Sequence, residues 1–159
     1  MITAERLREL VHYCPETGEF THLQSKGRKK AGMRAGWLRK DGYIETEVDG
    51  KAYKAHRLAW LYTYGAWPIH HIDHIDGNRS NNRLINLRDV NRFINSQNQR
   101  LPCKINQCGF LGVHKQGPKF RAQIRVQGKN KHLGLFDTAE LAHEAYLKAK
   151  RVFHEGCTI

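Results

Sequence analysis

The chain has 159 residues, of which 27 are Lys or Arg and 15 are Asp or Glu, a formal charge of +12 with histidines neutral. Its 40% hydrophobic content excludes a disordered basic tail. Its length excludes a large enzyme, and no run reaches the roughly 18 apolar residues that span a bilayer.

A short helix is expected to open near Thr3, with Leu7, Leu10 and Val11 on one face, and Pro15-Glu16-Thr17-Gly18 reads as a turn. Ser25 to Gly36 is a basic, glycine-containing loop with Lys26, Arg28, Lys29, Lys30 and Arg34. Tyr43–Val48 and Lys51–Ala55 flank Asp49-Gly50, a pair suited to the positive-φ positions of a tight hairpin turn. Leu58–Tyr64 is a short buried helix stopped by Gly65. Trp37, Trp60 and Trp67 suit packing better than base stacking.

The central stretch holds Ile72-Asp73-His74-Ile75-Asp76-Gly77-Asn78-Arg79-Ser80-Asn81-Asn82, then Asn86-Leu87-Arg88 and Phe93-Ile94-Asn95-Ser96. So many Asn, Asp and His are costly to bury without a purpose. A hard divalent cation takes oxygen ligands, which Asp73 and Asn95 supply if the following helix folds back on the strand. His74 faces the opposite side of a strand from Asp73 and is placed to act as a base. His70-His71 face opposite ways and make a poor metal pair.

In the last segment Phe120, Ala122, Ile124 and Val126 alternate with Arg121, Gln123 and Arg125, a strand with one apolar and one polar face. Phe110–His114 precedes it, and Lys129–Leu135 follows the Gln127-Gly128 turn. Asp137 reads as the cap of a helix with Glu140 three positions on, and Ala139, Ala142, Ala145 and Ala149 form a small-residue stripe that lets the helix lie close on a sheet. A three-stranded antiparallel sheet covered by one helix follows.

The central residues resemble the HNH nuclease superfamily, with its ββα-metal fold, in the form common among phage and intron-encoded (homing) endonucleases. The resemblance implies His74 as the general base that activates water, Asp73 as a metal ligand, and Asn86 as the residue that orients the loop and the base. It implies Asn95 as the second ligand in an H-N-N variant, which favours one Mg²⁺ or Mn²⁺ per site over zinc. A neutral imidazole can take the water's proton, and a cation with two protein ligands keeps positions open for phosphate oxygens.

Residues 109–154 resemble the apetala-two (ethylene-response-factor) DNA-binding domain through Gly112-Val113, Lys119–Arg125, His132–Glu140 and Ala142–Tyr146. This implies that His114, Arg121, Gln123, Arg125 and His132 face DNA and that Lys119, Lys129 and Lys131 reach phosphates. Histidines at two family contact positions prevent any base preference from being carried over. The N-terminal part resembles regions ahead of phage HNH cores at Asp41-Gly42-Tyr43 and His56-Arg57-Leu58. His56 and Arg57 are candidates for a phosphate contact, and an ordinary helix-start histidine with a surface arginine fits equally.

The expected fold is α+β: a ββα-metal HNH core at 67–101, an N-terminal supporting segment at 1–66, a linker at 102–108 and the sheet-and-helix domain at 109–159. The net charges of 1–66, 67–108 and 109–159 are +4, +3 and +5, so the partner is gripped along its length. Cys103 and Cys108 read as incidental to the linker rather than as zinc ligands. The scattered cysteines, with no apolar signal run at the start, suggest a reducing cytoplasm, that of the host if the origin is phage. The expected activity is metal-dependent hydrolysis of double-stranded DNA, nicking or double-strand cutting. The alternative is a non-catalytic, sequence-specific DNA-binding protein on a degenerate HNH scaffold.

Overall fold

The computed structural model describes every residue except Lys104, which falls in the segment read as the linker and so lies outside the described residues. The chain divides into two compact units, Met1–Arg92 and Phe93–Ile159. The architecture is α+β, as the sequence implies, and among the described residues no helix is long and apolar enough to cross a membrane.

The first unit starts with α1 (Ala4–Leu10), capped by Thr3, whose hydroxyl accepts from the Arg6 amide at 3.3 Å. The Pro15–Gly18 turn proves to join a hairpin, β1 (Val11–Cys14) and β2 (Glu19–His22), in register from Val11↔His22 to Cys14↔Glu19. Next comes a sheet of β3 (Trp37–Leu38), β4 (Ile44–Val48) and β5 (Lys51–Lys54), in the order β3-β4-β5. Asp49 and Gly50 take φ of 48° and 75°, as the hairpin turn requires. The strand β3 is too short to show an alternation in the sequence, and its Trp37 is exposed.

Helix α2 (Ala55–Tyr64) starts three residues earlier than expected and ends on Gly65 at φ 76°. The strands β6 (His71–His74) and β7 (Leu87–Val90) pair antiparallel, with Asp73 opposite Arg88 and His74 opposite Leu87. A single core holds Leu7, Val11, Tyr13, Phe20, Leu58 and Leu61 together with Ile72 and Leu87. Residues of the 1–66 segment thus share one core with the β6–β7 hairpin. Each buried Leu or Phe contributes roughly 1.5–3 kcal/mol to that union. Helix α3 (Arg92–Gln97) follows β7, completing the ββα order.

The second unit contains β8 (Val113–Gln116), β9 (Lys119–Val126) and β10 (Lys129–Phe136), ordered β10-β9-β8, and α4 (Ala139–Phe153). Val113, Ala122, Ala139 and Ala142 form one cluster between sheet and helix, and Leu111, Ile124, Tyr146 and Ala149 form another. The small-residue stripe allows this close approach. Gly112, at φ 72°, lies so near the Tyr146 ring that a Cβ there would meet it at 1.9 Å. The helix cap is Thr138 rather than Asp137: its hydroxyl accepts from the Leu141 amide, which moves the helix start on by one residue. A bulge between His132 and Gly134 lets Leu133 pack with both clusters.

Candidate active site

The β6–β7 hairpin and the Asn-rich loop it encloses build the site. Alternation along β6 buries Ile72 in the core, and the next two residues, Asp73 and His74, are also buried at 7% and 4% exposure. The Asp73 carboxylate accepts twice on Oδ2 from Arg88, at 2.9 Å from Nε and 2.8 Å from Nη2. This is a cross-strand pair set by the register.

The loop between the strands is held by its own side chains. Asn86 is buried at 7%. Its amide nitrogen donates to Asp76 Oδ1 at 3.0 Å and to the Asn81 carbonyl at 2.8 Å, while its Oδ1 accepts from the Asp76 amide at 2.9 Å. Asp76 also accepts from the Asn78 amide and from Asn81 Nδ2. Burial acts to raise the Asp76 pKa, but the hydrogen bonds from Asn81, Asn78 and Asn86 outweigh it and hold the carboxyl below its usual range. Asp76 is thus committed to the loop.

The His74 Nε2 lies 3.1 Å from Asn82 Oδ1. Asn82 is itself buried at 2%, and its carbonyl accepts from the Tyr13 hydroxyl at 2.7 Å. Burial lowers the His74 pKa, against the Asn82 contact and the charges of Asp76 and Asp73 that raise it, and Arg79 lowers it further. The ring is therefore neutral at neutral pH, the form that can accept a proton.

Two more rings complete the setting. The His56 ring packs edge-on against His74 with centroids 5.0 Å apart, and Tyr43 lies 5.2 Å from His56 and 5.9 Å from His74. His56 is 5% exposed and its Nδ1 is buried without a hydrogen-bond partner. Burial, with His74 second, lowers its pKa to about 3. His56 therefore backs the site rather than reaching a surface phosphate, and Arg57 stacks over Trp67 at 5.5 Å.

Asn95 lies on α3, on the other side of the division between the units from Asp73 and His74. A carboxylate and an amide oxygen are a donor set that fits a hard divalent cation with open positions. Among the described residues no three of His, Cys, Asp and Glu converge on a common point, and Cys103 and Cys108 are free thiols.

In the second unit, register puts His114 opposite Arg121 and Gln123 opposite His132, on the face away from α4 that Arg125 shares. Gln123 Nε2 and His114 Nε2 are 3.0 Å apart. The expected lysines do not gather there. Lys119 pairs with Asp137 at 3.3 Å, while Lys129 and Lys131 stand opposite Val126 and Ile124, on the helix side. Lys131 Nζ lies 4.1 Å from the Phe153 ring centroid. The reason is register: the two-residue Gln127-Gly128 turn pairs Lys129 with Val126 and Lys131 with Ile124, in step with the inward-facing positions of β9.

Sequence reasoning missed Asn82, Arg88 and Tyr13. The first two sit in the motif but carry no spacing signal of their own. Tyr13 is 69 residues from the carbonyl it supports and offers none.

Residues 53–97 match the model of a family described as HNH endonuclease. The chain is 33% identical over 107 residues to Protein 3.8 of Escherichia phage T7, an alignment covering 65% of this chain and 87% of that protein. A solved structure described as DNA binding and cleavage by the HNH homing endonuclease I-HmuI aligns with a TM-score of 0.46 at 25% identity, covering 92% of this chain and 88% of that one.

Proposed function

We take as premise that the chain belongs to the HNH endonuclease family, and we propose that it is a metal-dependent enzyme that hydrolyses phosphodiester bonds in double-stranded DNA. The observation that carries this reading is His74: buried, neutral at neutral pH, 3.1 Å from Asn82 and next in sequence to Asp73. A residue kept only as scaffold would not need a polar side chain there, since burying an imidazole costs stability that an apolar residue would retain.

In this reading His74 accepts the proton of a water that attacks the phosphorus. Asn82 sets the tilt of the ring, and His56 and Tyr43 wall it in. Asn86 keeps the loop, and with it His74, in one conformation. Asp73 and Asn95 would hold one Mg²⁺ or Mn²⁺, whose charge would stabilise the phosphate oxygens as negative charge develops. The outer face of β8–β10, with His114, Arg121, Gln123, Arg125 and His132, rests against the duplex in the manner of an apetala-two-like module. The similarity to a phage T7 protein supports a phage origin, and action in the host cytoplasm follows from that.

Supercoiled plasmid is the direct test. Mg²⁺ or Mn²⁺ should give nicked or linear product and EDTA should stop it. His74→Ala should lower the cleavage rate by about 10²–10⁴-fold while leaving duplex binding intact. Plasmid left intact by the native chain with every divalent metal, but bound by it, would establish binding without cleavage instead.

A further inference from the structure

Tyr43 walls in His74, and the Asp41-Gly42-Tyr43 turn that carries it also holds a cation beside the site. Arg79 Nη1 donates to the Asp41 carbonyl at 3.0 Å. The Arg79 side chain runs along Gly42, where a Cβ would sit 3.8 Å from both its Cβ and its Cδ. Its guanidinium carbon is 5.1 Å from the centre of the Tyr43 ring. A second cation, Lys54, places Nζ 4.1 Å from the same ring centre. That ring is 5.9 Å from His74.

Four other arginines of the first unit, Arg6, Arg34, Arg39 and Arg88, are paired with carboxylates. Among the described residues neither Arg79 nor Lys54 is paired with one. The Asp41 carboxylate, which could have paired with Arg79, instead pairs with Arg39 at 3.2 Å. Arg79 is held by a carbonyl, a glycine backbone and an aromatic face, contacts that fix its position and leave its charge uncompensated. The Tyr43 ring thus has two cations within reach of its π-system. A planar guanidinium so held presents its remaining N–H groups as a ready fork for phosphate.

We propose that Arg79 and Lys54, positioned by Tyr43 and the Asp41-Gly42 backbone, form the seat of the DNA phosphate attacked by the water that His74 deprotonates. The inference rests on the nuclease reading and names the groups that would contact the scissile phosphate. Arg79 and Lys54 are the contacting residues, and Tyr43 is a positioning residue.

The test uses the full chain and a fluorescent DNA duplex in EDTA, with affinity measured over a series of salt concentrations. Each phosphate contact contributes about 0.9 to the slope of log affinity against log salt. Arg79→Gln and Lys54→Gln should each reduce the slope by about that amount, Arg79→Lys should restore it, and Tyr43→Leu should reduce it while Tyr43→Phe does not. Single-turnover plasmid nicking at saturating protein with Mg²⁺ should fall at least about tenfold in Arg79→Gln.

Native slopes in both Gln variants would overturn the proposal. So would an altered slope with an unchanged single-turnover rate, which would place the contact at a remote phosphate. Arg79 is exposed, so its variants test the idea even if Tyr43→Leu fails to fold. Should the native chain cut no DNA at all, the nuclease reading falls, and the salt slope in EDTA still decides whether the cations hold phosphate.

Discussion

The buried polar side chains around His74 have separable jobs that can be removed one at a time. Asn86 satisfies both the Asp76 backbone and the Asp76 carboxylate, so Asn86→Ala removes three hydrogen bonds that hold the loop. It should cost about 2–3 kcal/mol of stability, read from denaturant midpoints, and should abolish cleavage at temperatures where the fold persists. His56 has a different signature. Its folded pKa of about 3 lies below the unfolded value of about 6.5, so the unfolded chain binds the extra proton. Its contribution to stability is complete above pH 6.5 and is lost as pH falls toward 3, by at most about 1.4 kcal/mol per pH unit. Thermal unfolding between pH 7 and 4 should show this decline, and His56→Phe should flatten it. An equally steep decline in the variant would trace it to other groups, His74 first, whose pKa burial also lowers.

The loop that carries the site does not stand on its own strands alone. The β1–β2 hairpin supports it from beneath: the Leu84 amide donates to the Pro15 carbonyl at 3.0 Å, and Gly18 packs so tightly that a Cβ would meet Arg83 N and Asn82 C at 2.4 Å. Gly18 also has φ of 76°, which a side chain would strain. Gly18→Ala should therefore disturb Asn82, and through it His74. Its expected effect is a loss of nicking activity out of proportion to a drop of about 1–3 kcal/mol in stability. Much of the ββα element and of the terminal sheet was legible in the sequence, because alternation, Asp-Gly and Gln-Gly turns and a capped helix are local signals. The hairpin's role was not legible. A turn such as Pro15–Gly18 announces itself, but what its glycine touches lies more than sixty residues away and depends on tertiary packing. The burial of His56 was not legible either, because burial of α2's first turn comes from the core it joins and not from its own pattern.

The positive charge of the whole molecule is spread over both units, so affinity for DNA should be strongly salt-dependent and only partly lost with any one contact. Replacing Arg121 and Arg125 by Gln should lower duplex affinity and reduce the salt slope by about 0.9 for each phosphate contact removed. Far-UV circular dichroism should stay native, since both side chains lie on the sheet face away from α4. An unchanged slope would remove that face from the DNA-binding surface. The hairpin under the site has one more consequence, for the order in which the molecule comes into being. Val11 to His22 are made before the rest of the site, but the carbonyl that Tyr13 supports belongs to Asn82, and the strand that pairs with His74 ends at Val90. Closing so long a loop comes late in folding, after local hairpins and helices have formed. The His74 centre is therefore assembled only when the first unit is nearly complete, and a chain truncated before Leu87 lacks the strand that closes it.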